Sequence, residues 1–456
     1  MSSRTNPVYR GQVEPLPKGR IVAFGFGDFG FNLFYTGLNL YLLYYYTDVL
    51  RIAPATAGLI FMLPVIWDAV TDPVMGAIAS RTRSRWGKYR PYILFGGPIM
   101  ALSFVGMFAA PLLFSGAVVA ASLVSHILFR TAYTVVSIPY SSLMATMTSD
   151  GSERASLAGA RMVCAVAGGV LTAFATLELA KGLGDGDLAQ GFVWTACVFA
   201  ALATLIMLIL FATTRETLDP TRDTAQPSAR DTLRYLKRNT AFWIVFVAVF
   251  FGALGSSIGS KALVYYVTYV VGRPDGVSGL LSASLLITGA SVPLWAWLAH
   301  RWSKRDLWVA GGIGSMICNA VLLILAPEDY AVLFALICLA GFYNGAFITM
   351  FWAMLPDTVE FGQWRSGVRD EGIVFGLNQL ALKAASGIGV GMLGVLLGTI
   401  GYETGVAQSA ETLFGLKWLA FGIPLAAAIA AVLTISRSPL TKKRHEILVR
   451  YLSRKT

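Results

Sequence analysis

The chain has 456 residues, 56% of them hydrophobic and only 13% charged, with a formal net charge of +11. Soluble domains average about 45–50% apolar and about 25% charged residues, so this composition excludes a water-soluble enzyme or binding module and indicates a polytopic membrane protein. The positive charge is spread over short polar loops instead of one folded face, which argues against a nucleic-acid partner.

In chain order, a polar, basic tail (MSSRTNPVYRGQVEPLPKGR) precedes an apolar block with no cleavage signature, so no segment is expected to be removed. Apolar blocks long enough to cross a bilayer predict helices over 21–46, 55–80, 91–113, 116–148, 155–178 and 190–213. The stretch TTRETLDPTRDTAQPSARDTLRYLKRN then reads as a polar connector. Six more helices are predicted over 241–271, 277–300, 307–326, 330–355, 371–400 and 412–436. The fourth, seventh and eleventh blocks exceed a straight crossing, which predicts tilt or extension into water. The expected organisation is an N-terminal six-helix bundle (1–213), a connector (214–240), and a C-terminal six-helix bundle with a basic tail (241–456). This all-α, twelve-span layout of two pseudo-symmetric halves is that of the major facilitator superfamily. Such carriers hold substrate near the midplane, between halves that rock to alternate access.

Twelve spans put both termini on one side. Of the 36 Lys and Arg residues, 28 fall in loops and tails on that side and four in the opposite loops. The positive-inside rule therefore predicts cytoplasmic termini in a multi-pass protein of the inner membrane. Cys164, Cys197, Cys318 and Cys338 all lie in apolar helix without metal-ligand spacing and read as packing residues. His126 stands alone in the fourth span, and the chain shows no nucleophile–base pair, HExxH motif or phosphate-binding loop. No enzyme and no cofactor are expected.

Within the second span, WDAVTDPVMG places Asp68 and Asp72 four residues apart on one helix face, about 18 and 12 Å from its cytoplasmic end at a rise of about 1.5 Å per residue. Each carboxylate at that depth costs roughly 2.5–3.5 kcal/mol, and like charges at this spacing repel. A bound Na⁺ or a shared proton relieves both costs. A purely structural pairing with Arg130 or Arg161 is the alternative.

WDAVTDPVMG followed by RTRSRWGKYRPYIL closely resembles the glycoside-pentoside-hexuronide:cation symporters, the family of the melibiose permease. So do FGFGDFGFN and YLLYYYTDVL in the first span, YTVVSIPYSSL in the fourth, ERASLAGAR before the fifth, and LPDTVEFGQWRSGVRDEG after the tenth. IGY and AQSAETLFGLK before the twelfth span extend the resemblance to nearly the whole chain. It implies that Asp68 and Asp72 bind the coupling cation and that Thr134 completes the site. Thr71 stands where the permease has a cation-coordinating asparagine, which leaves Na⁺ and H⁺ both open. Asn32 and Ser137 replace the permease's two galactoside-binding aspartates, while Arg161 and Lys383 are retained, so galactoside specificity is not expected. Asp28, one turn before Asn32, gives a GDxxxN pattern similar to the glucuronide and pentoside branches.

A sugar also needs polar contacts and an aromatic platform. Asn32, Tyr133, Ser137, Asn378 and Gln379 are candidates for the first and Trp352 for the second. Four membrane-embedded cations, Arg130, Arg161, Lys261 and Lys383, face three anions, Asp28, Asp68 and Asp72. The surplus suggests an anionic substrate such as a hexuronide countered by Arg161 or Lys383; a neutral glycoside, with Arg130 and Lys261 snorkelling to an interface, is the alternative. Basic Arg83, Arg85, Lys88 and Arg90 in the first half, and Asp357, Glu360, Arg365 and Arg369 in the second, form a candidate cytoplasmic gate. Anionic lipid contact would use the same basic residues. The expected function is cation-coupled sugar or glycoside symport by a functional monomer in contact with membrane lipids. Symport of a lipid or lysolipid is the second reading.

Overall fold

A computed structural model of the chain describes residues 16–148, 151–216, 229–325 and 329–453, and these are helical with short connections. The N-terminal bundle comprises α1 (Lys18–Tyr44), α2 (Pro54–Arg81), α3 (Arg90–Leu113), α4 (Val118–Met147), α5 (Gly151–Leu183) and α6 (Leu188–Thr213). After α7 (Ala229–Arg238), the second bundle comprises α8 (Thr240–Tyr265), α9 (Gly276–Arg301), α10 (Lys304–Leu325), α11 (Tyr330–Ser366), α12 (Glu371–Thr399) and the pair α13 (Ala410–Lys417) and α14 (Ile423–Ile435), joined by one π turn. A last helix, α15 (Lys442–Ser453), lies in the tail.

Each span occupies its predicted block. Among the described residues, eleven helices are long and apolar enough to cross a membrane. The twelfth span, α1, falls outside that group because Asp28, Asn32, Asn39, tyrosines and glycines dilute its apolar content. Those residues let it pack against α5 and α6 inside the first bundle. The largest excesses are at α5, which runs Gly151–Leu183 against the predicted 155–178, and at α11, which runs to Ser366, past the predicted 355. Gly367, at φ +75°, ends α11 in the left-handed conformation that favours glycine. The amphipathic α7 and α15 were not predicted as helices. Both dock on the second bundle at the face bearing the termini, α7 through buried Tyr235 and α15 through Leu448.

The bundles meet chiefly where α2 packs on α12 and α5 on α9. At Gly58 a Cβ would stand 3.0 Å from the Gly391 carbonyl oxygen and the Gly394 Cα, so only glycine permits the α2–α12 approach. The four cysteines are free, Cys318 and Cys338 buried and the other two half-buried, as packing residues would be.

Candidate cation and substrate site

Proline shapes the helix that carries the paired aspartates. Pro64 and Pro73 lie inside α2, and a proline there leaves the carbonyl four residues earlier without its helical donor. The carbonyl released by Pro64 is that of Ile60, which lies 3.2 Å from His126 Nδ1. Pro73 likewise releases the carbonyl of Ala69, between the two aspartates.

Asp68 is 1% exposed. Its Oδ2 accepts from Arg130 Nη1 at 3.0 Å and lies 3.9 Å from Lys383 Nζ. Its Oδ1 is buried without a partner among the described residues. Asp72 is half-buried; its Oδ1 accepts from Thr134 Oγ1 at 2.8 Å and its Oδ2 pairs directly with Lys383. Arg130 and Thr134 are on α4 of the first half, whereas Lys383 is on α12 of the second. The carboxylates are therefore bridged across the two halves by one ammonium. Of the expected pairings with arginine, that with Arg130 forms, while Arg161 pairs elsewhere. Thr71 turns its hydroxyl back to the Trp67 carbonyl at 3.2 Å and does not reach the carboxylates, because a threonine in a helix readily bonds the preceding turn.

One helical turn away on α4, Tyr133 and Ser137 line a cavity of about 250 Å³ together with Asp28, Phe31, Asn32, Tyr35, Tyr140, Ser141 and Arg161. Arg161 forks onto Asp28, with Nε–Oδ2 2.5 Å and Nη2–Oδ1 3.2 Å. Tyr140 donates to Asp28 Oδ2 at 2.8 Å and sits beneath the guanidinium, 4.9 Å away. A Cβ on Gly27 would collide with the Tyr140 ring at 2.5 Å, so glycine is required for the tyrosine to reach Asp28. Asn32 spends its Nδ2 on the Asp28 carbonyl at 2.8 Å and keeps its Oδ1 near Thr36.

Other candidates fall outside this cavity. Lys383 joins the aspartate pair. Trp352 lies against Phe351 at 39% exposure and Gln379 is exposed, both away from the cavity wall. Asn378 is 1% exposed with both amide atoms unpartnered among the described residues. The aromatic wall comes instead from Phe31, Tyr35 and Tyr133 of the first half. Neither Arg130 nor Lys261 snorkels; they are 6% and 3% exposed.

Among the described residues, Asp357, Glu360, Arg365, Arg369, Arg85 and Arg90 contact groups of their own half. Asp357 binds Lys304 at 2.8 Å, and Glu360 binds His445 of α15 at 2.6 Å. Arg365 lies over Trp364, and Arg369 holds Gln363 and Glu371. In the first half, Arg83 is exposed, Arg85 stacks on Trp86, and Arg90 donates to the Phe211 carbonyl at 2.7 Å. The backbone N–H groups of Lys88, Tyr89 and Arg90 are capped by Glu216, which enters beneath Gly87 at φ +105°.

The halves are joined instead at the face opposite the termini, here termed the outer face. α1 and α8 end in matching π turns, Tyr45–Val49 (YYTDV) and Tyr266–Val270 (YVTYV). Asp48 and Tyr269 hold equivalent places in the two turns and hydrogen-bond each other across the interface. Tyr402 also donates to Asp48, at 2.6 Å, and Thr47 pairs with Tyr265 at 2.8 Å. Ser278 and Glu178, and Lys181 and Asp275, add further links at 3.0 and 2.6 Å. No role was expected for Asp48. Its signal is an aspartate closing a tyrosine-rich turn that recurs, with tyrosine in its place, in the other half.

Comparison with known proteins matches residues 23–442 to a family described as MFS/sugar transport protein. The chain is 29% identical over 427 residues to the isoprimeverose transporter of Lactiplantibacillus pentosus, covering 93% of this chain and 89% of that one. It is 29% identical over 438 residues to the glucuronide carrier protein homolog of Escherichia coli (strain K12), covering 95% of each. A bacterial homolog of the human lysosomal transporter Spinster, solved inward-facing and unoccupied, superposes with a TM-score of 0.71 at 13% identity over 93% of this chain and 96% of that one. That likeness carries the fold alone.

Proposed function

Since the chain belongs to the MFS/sugar transport protein family, we propose that it is a membrane symporter, not an enzyme, and that it uses Na⁺ or H⁺ to accumulate a hydroxyl-rich glycoside. With the termini cytoplasmic, as the basic loops indicate, the structure is closed to the outside. The observation that carries the reading is the Lys383 bridge. A cation arriving between Asp68 and Asp72 competes with an ammonium supplied by the opposite half, so ion binding and contact between the halves are mutually dependent. Asp68 Oδ1, Asp72 and Thr134 Oγ1 are hard oxygen donors suited to Na⁺; the carboxylates alone suffice for a proton. Tyr133 and Thr134 share one turn of α4, which puts the sugar wall and the ion site on one rigid element.

The cavity supports a neutral glycoside, because Arg161 is already neutralised by Asp28. Its size suits about one or two sugar rings, and Tyr35 and Tyr133 supply apolar faces for ring stacking. A uronic acid is the second reading, favoured by the presence of Arg161 in the cavity wall; its carboxylate would have to displace Asp28. The polar lining opposes a lipid substrate, which calls for a continuous apolar channel.

The test is uptake of isoprimeverose and methyl β-D-glucuronide into proteoliposomes under imposed Na⁺ or H⁺ gradients, in wild type and Asp72→Asn. Gradient-driven accumulation that Asp72→Asn abolishes is expected. Uptake of both sugars indifferent to either gradient and to the substitution would refute the reading.

A further inference from the structure

Three of the four basic side chains inside the bundles have carboxylate partners: Arg130 with Asp68, Arg161 with Asp28, and Lys383 with both Asp68 and Asp72. Lys261, on α8, has none within ion-pairing distance among the described residues. Its ammonium reaches only the Ser257 carbonyl and hydroxyl, each at 3.4 Å, and lies 5.6 Å over the Phe61 ring of α2 in the opposite half. An unpaired buried ammonium is expensive, so its retention calls for a role.

The surroundings of Lys261 indicate that role. Phe61 meets His126 edge-on at 5.6 Å, and His126 Nε2 lies 3.3 Å from Arg130 Nε. Arginine only donates, so Nε2 is the acceptor and the ring proton sits on Nδ1, bonded to the Ile60 carbonyl that Pro64 releases. His126 is thus a neutral relay that fixes Arg130. Asp68 and Asp72 face Arg130 and Lys383, and Lys261 stands behind Arg130, beyond Phe61 and His126. Arg130 shares the first half with the carboxylates; both lysines come from the second half. Lys261 lies one turn inward from Tyr265, whose hydroxyl pairs with Thr47 in the outer closure.

We propose that Lys261 is a positioning charge for ion release: closing the outer face carries an unneutralised ammonium to the Arg130–Asp68 pair and drives the coupling cation off the carboxylates. Withdrawal of the second half's lysines leaves Asp68, Asp72 and Arg130 with a net charge of −1, which attracts a cation; their return makes the cluster +1, which repels one. This rests on the symport reading and adds a residue to its coupling step.

The test uses the full-length protein in proteoliposomes with isoprimeverose, measuring the half-saturating Na⁺ concentration at fixed pH and the half-saturating H⁺ concentration without Na⁺. It compares wild type, Lys261→Met, Lys261→Gln and Lys261→Arg. In the methionine and glutamine variants the half-saturating concentration of the coupling ion is expected to fall about tenfold, and net sugar uptake at saturating ion, which requires ion release to the inside, to slow by a similar factor. Sugar exchange at saturating ion should stay within about twofold, and Lys261→Arg should match wild type. Melting temperature should not fall in Lys261→Met, since an apolar residue of similar length replaces an unpaired buried charge. Unchanged ion dependence in both neutral variants, or equal loss of net uptake and exchange, would overturn the proposal alone. Wild-type uptake indifferent to both ions would overturn it together with the symport reading.

Discussion

The two faces of the molecule solve the same problem in opposite ways. On the outer face the halves share their polar groups: Asp48 of one accepts from Tyr269 and Tyr402 of the other, and Thr47 binds Tyr265. On the terminal face the second-half gate groups satisfy one another: Lys304 and His445 hold Asp357 and Glu360, while Gln363 and Glu371 hold Arg369. Both faces carry matching groups; what differs is whether the partner lies across the interface. A carrier that alternates needs that difference to reverse, and single substitutions can force or weaken it.

The largest effect is expected from Gly58→Trp. Nothing larger than hydrogen fits between α2 and α12 there, so an indole should hold the outer face open. Sugar accumulation should fall to background while the protein still folds, and a thiol reagent added from outside should reach a cysteine placed at Phe61; persistence of near-normal accumulation would contradict the packing described. Asp48→Ala comes next. Hydrogen bonds to a charged group contribute about 1.5–3 kcal/mol each, so loss of two tyrosine donors should shift the balance between the states about 100- to 10,000-fold toward outer opening. The same labelling reads this as a rate increase, and an unchanged rate would remove Asp48 from the closure. His445→Ala should act on the other face and more weakly, altering maximal uptake less than about threefold, because Lys304 still holds Asp357; a complete loss would show that α15 does more than occupy Glu360.

Lys181→Ala should do least. Its partner Asp275 is fully exposed, and the hydrogen bond and charge of Lys181 hold that carboxyl below its ordinary value. The contact is therefore present throughout and above the ordinary carboxylate range and fades only as the pH falls through the lowered value. A melting temperature indistinguishable from wild type at pH 7 is expected, as for most exposed pairs.

The helices were legible because apolar length alone specifies a span, and a twelvefold repetition leaves little choice of fold. Asp68 and Asp72 stood out because charge inside an apolar run is costly enough to require a reason, whereas Thr134 came only from the family resemblance; the structure brings the three together around Lys383. Trp352 and Gln379 lie off the cavity wall, because helical periodicity does not say which face of a twelve-helix assembly turns to the cavity in a given state. Thr71 turns away from the carboxylates at closer range, since its hydroxyl has a backbone acceptor one turn away. The helical α7 and α15 were missed because their sequences look like connector and tail until Tyr235 and Leu448 find apolar surface on the second bundle. Asp48 was legible in principle: YYTDV and YVTYV are the same turn written twice, and only the comparison of the halves reveals that an acceptor and a donor have been placed opposite each other.

The glycine contact between α2 and α12 has a mechanical meaning. Dispersion between touching backbones loses roughly a quarter to a half of its strength within about 1 Å of separation, whereas a long side chain could stretch and keep hold. A closure built from Gly58, Gly391 and Gly394 therefore grips over a very short travel and then lets go. It behaves as a snap fastener, not a spring, and favours two seated positions with little dwell between them, which suits a carrier whose pathway must never stand open at both ends.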